Sequence, residues 1–105
     1  MRKPRQWRLT PEMATQRIRE RASNSANVQL TLHAQEQMEA RDIIAPEVFR
    51  ILREGAVQDD PVQEGDEWKA TMELRMPGGR DAATVTVLAA GDRLRVVTVM
   101  WKDRQ

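Results

Sequence analysis

The chain has 105 residues, 17 Lys/Arg against 16 Asp/Glu and a net charge of +1, which leaves room for one folded domain with a single core. With no cysteine and one histidine, a disulfide framework, an iron–sulfur cluster, a thiolate zinc site and a His-rich metal centre are all excluded, and no cofactor is expected. No apolar run approaches the roughly 18 residues of a bilayer span, and "MRKPRQWRL" lacks the apolar stretch of a secretory signal, so a soluble, cytoplasmic protein with no membrane partner is expected.

The charges are unevenly placed. Residues 1–32 hold seven Lys/Arg against two acids, residues 33–67 three against ten, and residues 68–105 seven against four. Such blocks suggest basic ends facing a polyanion and an acidic middle, unless folding intermixes them.

Arg2 to Leu9 is basic, carries Trp7 and has no periodicity, so it reads as an extended arm. Thr10 as N-cap, Pro11 at the first helical position and Glu12 in the first turn predict a helix over 11–22. Its apolar stripe of Ala14, Ile18 and Ala22 is thin and Arg17, Arg19 and Arg21 make it basic, so loose docking is expected. These pieces divide the chain into a basic arm and helix, 1–24, and a domain, 25–105. The alternation of "VQLTL" predicts a strand over 28–32. A short helix from His33 to about Asp42 follows, with Ala34 and Met38 buried. Ile43 and Ile44 close it, and Pro46 opens a second helix whose stripe is Val48, Phe49 and Leu52 and whose end is a left-handed cap at Gly55.

Strands follow. "AVQDDPVQEG" is a weak first strand demoted by Pro61, and "EWKATMELRM" alternates Trp68, Ala70, Met72, Leu74 and Met76 against Lys69, Thr71, Glu73 and Arg75. "AATVTVLA" and "RLRVVTVMW" complete a meander, joined by turns at "PGGRD" and "AGD". The fold class is therefore α+β: a short strand and a helix pair packed on a four-stranded antiparallel sheet, with an extra N-terminal helix. The expected core is Leu30, Leu32, Met38, Ile44, Val48, Leu52, Trp68, Met72, Leu74, Val85, Val87, Leu94 and Val96.

The order of these elements, with His33-Ala34, Met38, Arg41, Ile43, Leu52 with Gly55, and Val97-Thr98-Val99, resembles the family catalogued as domain of unknown function 4258 over residues 28–101. That family is regarded as similar to the RelE, barnase and colicin ribonucleases, many of them toxins paired with antitoxins. The resemblance implies a RelE-like sheet, a metal-independent ribonuclease of the toxin–antitoxin type acting on RNA or on ribosome-associated mRNA, and a cognate antitoxin as partner. Two positions depart from the pattern: Gln37 stands where the family has an arginine, and Ala45 where it has a hydroxyl N-cap.

Such cleavage needs a base for the 2′-hydroxyl proton, cations for the phosphate and an acid for the leaving oxygen. His33, Gln37 and Arg41, at i, i+4 and i+8, share one helical stripe. On the last strand, simple alternation puts Arg93 and Arg95 on one face with Val97, Val99 and Trp101, and places Thr98 on the core side. The candidate catalytic residues are therefore His33, Arg41 and Arg95. The candidate substrate contacts are Gln37, Lys69, Arg75, Arg93 and Trp101, on a basic outer sheet face with Arg80 nearby.

Each feature has a plainer counterpart. His33 can cap the helix start with Arg41 solvated, and the charged sheet face can be ordinary solvent surface with Trp101 packed on the N-terminal helix. The arm can bind RNA, pack back on the sheet or join a homodimer through the N-terminal helix. A catalytically inactive RNA- or protein-binding module of the same fold, possible as a homo-oligomer, is the second reading.

Overall fold

The computed structural model describes residues 8–102, and the expected arm at 1–7 lies outside them. The described residues form α1 (Pro11–Ala22), a 3-10 turn (Ser25–Asn27), β1 (Val28–Leu30), α2 (Leu32–Arg41), α3 (Ala45–Glu54) and five further strands. These are β2 (Ala56–Val57), β3 (Val62–Glu64), β4 (Glu67–Met76), β5 (Arg80–Leu88) and β6 (Leu94–Trp101). No described helix is long and apolar enough to cross a membrane.

The α+β class stands, but the sheet has six strands in the order β1-β6-β5-β4-β2, with β3 also on β4. The expected four-stranded meander is corrected in two places. β1 joins the sheet, parallel to β6 with Leu30 opposite Val96. The weak segment before β4 splits at its Asp-Asp-Pro stretch into β2 and β3, both antiparallel to β4.

Helix starts were written locally. The Thr10 hydroxyl accepts from Met13 N–H at 3.1 Å, with Pro11 behind it. α2 begins one residue earlier than expected because Thr31 is its cap: the Thr31 hydroxyl accepts from Ala34 N–H at 3.1 Å and donates to the Val96 carbonyl at 3.0 Å. That one side chain ends β1, starts α2 and ties both to β6. At the other end Asp42 turns left-handed (φ 57°) and Ile43 N–H reaches back to the Met38 carbonyl at 2.8 Å. The reversal sends Ile43 into the core and leaves Ile44, the N-cap of α3, 57% exposed. Leu32, just after the Thr31 cap, is 71% exposed. Neither Leu32 nor Ile44 is a core residue, contrary to the alternation-based list.

Gly55 is not left-handed either; its φ is −76°. A side chain is excluded there by crowding, since a Cβ would lie 2.6 Å from both the Glu73 and Ile51 carbonyl oxygens.

α1 and α3 cover one face of the sheet. α1 docks tightly rather than loosely: Ala14, Ile18 and Ala22 are fully buried with Val48, Ile51 and Leu52 of α3 and Met72, Leu94 and Val96 of the sheet. Its small residues let the helix approach closely, and its apolar stripe is already occupied within the chain, so association of two copies through α1 would have to use its charged side. The arginines of α1 are the second reason. Arg19 donates to the Gly55 carbonyl at 2.9 and 2.6 Å and to the Glu54 carbonyl at 2.9 Å, closing the C-terminus of α3. Arg53 of α3 returns the bond to the Ala22 carbonyl at the end of α1, at 2.8 Å. Arg21 clasps the β5–β6 turn through the Ala89 and Arg93 carbonyls, both at 3.0 Å. Burial lowers the Arg21 guanidinium from its ordinary pKa, Asp92 opposes that shift and Arg17 adds to it.

Candidate functional site

α2 runs beside β6 where β1 has ended. β1 covers β6 only from Leu94 to Val96, so the backbone beyond would face α2 unpaired. Gln37 fills that role: its side-chain carbonyl accepts from Val99 N–H at 2.9 Å. Further along, the Trp101 indole N–H donates to the Arg41 main-chain carbonyl at 3.0 Å. With Thr31 on Val96, these anchors fasten α2 at its start, middle and end. Gln35 caps a β1 carbonyl, Leu30, at 2.8 Å, and the Thr15 hydroxyl accepts from Val57 N–H at 2.8 Å. Helix side chains thus take up backbone groups of three strands.

Gln37 is accordingly half-buried and structural at its oxygen, while His33 and Arg41 at the ends of its stripe are exposed. Neither side chain has a hydrogen-bond or ion-pair partner among the described residues. His33 is bracketed by the Thr31 and Gln37 anchors, at the level of the first unpaired residues of β6. Eight residues of helix separate His33 from Arg41, a rise of about 12 Å, so a single phosphate held by both would require the two side chains to extend toward each other along the stripe.

A bulge decides the rest of β6. Thr86 pairs with Val96 and Val85 with Thr98, so Val97 is the extra residue. Beyond it every side chain changes face. Val99 and Trp101 join Leu94 and Val96 on the helix side, and Thr98 and Met100 turn to the outer face with Arg95. The expected placement of Trp101 beside the strand arginines and of Thr98 in the core is therefore corrected. Trp101 packs against the core with the Arg80 guanidinium stacked 3.9 Å from its ring centroid. Arg80, which follows the Pro77-Gly78-Gly79 turn, was only a peripheral candidate from the sequence. Its register opposite Met76, on the same face as Trp101, is what brings the two together.

The outer face is not a bare basic surface. Lys69 pairs with Glu64 at 3.1 Å, Arg75 with Asp81 at 2.6 Å, Arg95 with Glu67 at 2.8 Å and Lys102 with Glu73 at 3.3 Å. A phosphate would have to displace a carboxylate at each of Lys69, Arg75 and Arg95. Arg93, in the turn before β6, is exposed and borders a cleft of about 380 Å³ with Asn27 and Gln29. Two other clefts lie along α1: one of about 360 Å³ between Arg21, Asn27 and Asp92, and one of about 430 Å³ between Thr15, Arg19 and Val57. Neither is lined by His33, Gln37 or Arg41.

What results is an α+β domain with an open six-stranded sheet, in which a helix laid along the last strand presents a histidine and an arginine to solvent. The domain of unknown function DUF4258 matches residues 30–101, and the chain belongs to that family. The match begins after α1, although α1 contributes to the same core. No curated protein and no solved structure matches the chain.

Proposed function

We propose that this domain is a metal-independent endoribonuclease of the toxin–antitoxin type, with a RelE-like mode of action centred on α2 and β6. The observation that carries this reading is that His33 and Arg41 stand exposed and without partners among the described residues, where most other described cations are held by carbonyls or carboxylates. His33 takes the proton of a ribose 2′-hydroxyl, whose oxygen attacks the adjacent phosphorus as the 5′-oxygen bond breaks; the leaving 5′-oxygen takes a proton from water, and the imidazolium returns the proton it took to solvent. Arg41 holds a neighbouring phosphate. Thr98, turned outward by the bulge, offers a hydroxyl near the same edge. Arg95 contributes only if Glu67 releases it. A cognate antitoxin would have to cover the α2 stripe rather than the charge-matched sheet face.

A binding module without cleavage is the second reading, favoured by the engagement of Gln37 with Val99 and of Arg95 with Glu67. Induced expression in a bacterial host, with RNA integrity followed for wild type, His33→Ala and Arg41→Ala, separates the two. Growth arrest and RNA loss that disappear in His33→Ala support the enzyme. Intact RNA with wild-type protein rejects it, and salt-sensitive binding that survives His33→Ala then supports the module.

A further inference from the structure

We infer that the Gln37 side-chain amide, tied to the sheet through its oxygen, donates through its nitrogen to the phosphate at which RNA is cleaved, seated between His33 and Arg41. This rests on the ribonuclease reading above and assigns, within it, the group that meets the charge of the reacting phosphate.

The bond to β6 fixes which end of the amide faces inward. A backbone N–H can be met only by an acceptor, so the 2.9 Å contact with Val99 takes the Gln37 Oε1 and leaves the two N–H donors of Nε2 at the other corner of the same plane. Nε2 has no partner among the described residues. Among those residues no buried side-chain nitrogen or oxygen lacks a hydrogen-bond partner, so the unpaired Nε2 of half-buried Gln37 has to reach solvent. The amide is therefore structural at one end and open at the other.

Three properties suit the open end to a phosphate. It belongs to the residue one helical turn, about 6 Å of rise, from His33 on one side and from Arg41 on the other, so side chains extended along the stripe from both can converge over it. The tether to Val99 holds the amide in place before a ligand arrives, and a donor fixed in advance costs no reorganisation as charge builds on the phosphate oxygens during 2′-oxygen attack. The bond that Oε1 accepts also polarises the amide and strengthens its N–H donors. Gln37 thus adds a donor without adding charge, and the salt dependence of RNA binding is left to cations such as Arg41.

The test uses Gln37→Glu, which keeps an oxygen for the Val99 N–H but has no N–H to donate. Beside it stands Arg50→Gln, which makes the same one-unit change of net charge on an exposed side chain of α3, outside the site. Circular dichroism and urea unfolding establish that both fold. Single-turnover cleavage of an oligoribonucleotide is measured first. The NMR signals of the Gln37 side-chain amide are then followed during titration with a 2′-O-methyl oligoribonucleotide, which 2′-hydroxyl attack cannot cleave. Cleavage is expected to fall about a hundredfold in Gln37→Glu and to stay at the wild-type rate in Arg50→Gln, and the wild-type amide signals are expected to shift on titration. Unshifted amide signals at saturation, a wild-type rate in folded Gln37→Glu, or an equal fall in Arg50→Gln overturns the donor role and leaves the ribonuclease reading standing. If Gln37→Glu does not fold, the amide signals decide alone. A protein that cleaves nothing yet shows the amide shift, with weaker binding in Gln37→Glu than in Arg50→Gln, rejects the nuclease and keeps Gln37 as a phosphate contact. A wild type that neither cleaves nor binds the oligonucleotide overturns both.

Discussion

The two ends of this molecule use arginine in opposite ways. Where α1 meets α3, Arg19, Arg21 and Arg53 reach main-chain carbonyls that would otherwise end helices or turns without donors. Where α2 meets β6, the bonding is done by neutral groups, Thr31, Gln37 and the Trp101 indole, and Arg41 is left in solvent. Side-chain type alone therefore says little about role. A basic helix such as α1 looks like a nucleic-acid binder until its carbonyl partners are known, and the single exposed arginine of α2 is the better candidate for a ligand.

Substitutions can break this contrast, and they are ordered here by expected loss of stability. Gly55→Ala should be the most severe, on the order of 3 kcal/mol, because the added carbon meets two backbone oxygens at 2.6 Å and backbone cannot rotate away; a lower urea midpoint at unchanged slope is the signature. Arg19→Ala should follow at about 2 kcal/mol, the scale of charge-assisted bonds lost from buried carbonyls. A thermal midpoint equal to wild type would mean that the clasp contributes nothing. Gln37→Leu should cost about 1–2 kcal/mol by stranding the Val99 N–H, while Gln37→Glu keeps an acceptor and should lose less. Gln37→Arg introduces the residue that the resemblance leads one to expect there but cannot accept that bond, so it should destabilise like Gln37→Leu. If it also raised RNA cleavage, the natural Gln37 would be exchanging activity for anchoring. Arg41→Ala should change stability by less than about 0.5 kcal/mol, as expected of an exposed side chain without partners among the described residues, yet weaken RNA binding. A large loss of stability in that variant would erase the distinction between the two ends.

Much of the frame was legible. Thr10-Pro11-Glu12 placed the start of α1 correctly because a cap is a local device, and the alternation of Trp68 to Met76 assigned the faces of β4 because nothing interrupts its pleat. The candidate site was legible only in part. The His33–Gln37–Arg41 stripe follows from helical spacing, but that Gln37 would be drawn into the sheet edge depends on β1 stopping at Leu30. Trp101 and Thr98 were assigned to the wrong faces because one extra residue at Val97 reverses the parity of all that follows, and no turn residue marks it. Leu32 and Ile44 were misplaced for a related reason: each sits at a cap, where the chain changes direction and periodicity no longer predicts burial.

The amino-acid sequence by itself determined the α+β class, family membership, the helix starts and the stripe that carries the histidine, because propensity, capping and periodicity act over a few neighbouring residues. Only the tertiary structure decided which cations are free. Arg19, Arg21, Arg53 and Arg95 find their carbonyl or carboxylate across 28 to 72 residues of chain, as Arg95 does with Glu67 and Arg21 with the Arg93 carbonyl, and that distance is closed by the fold alone.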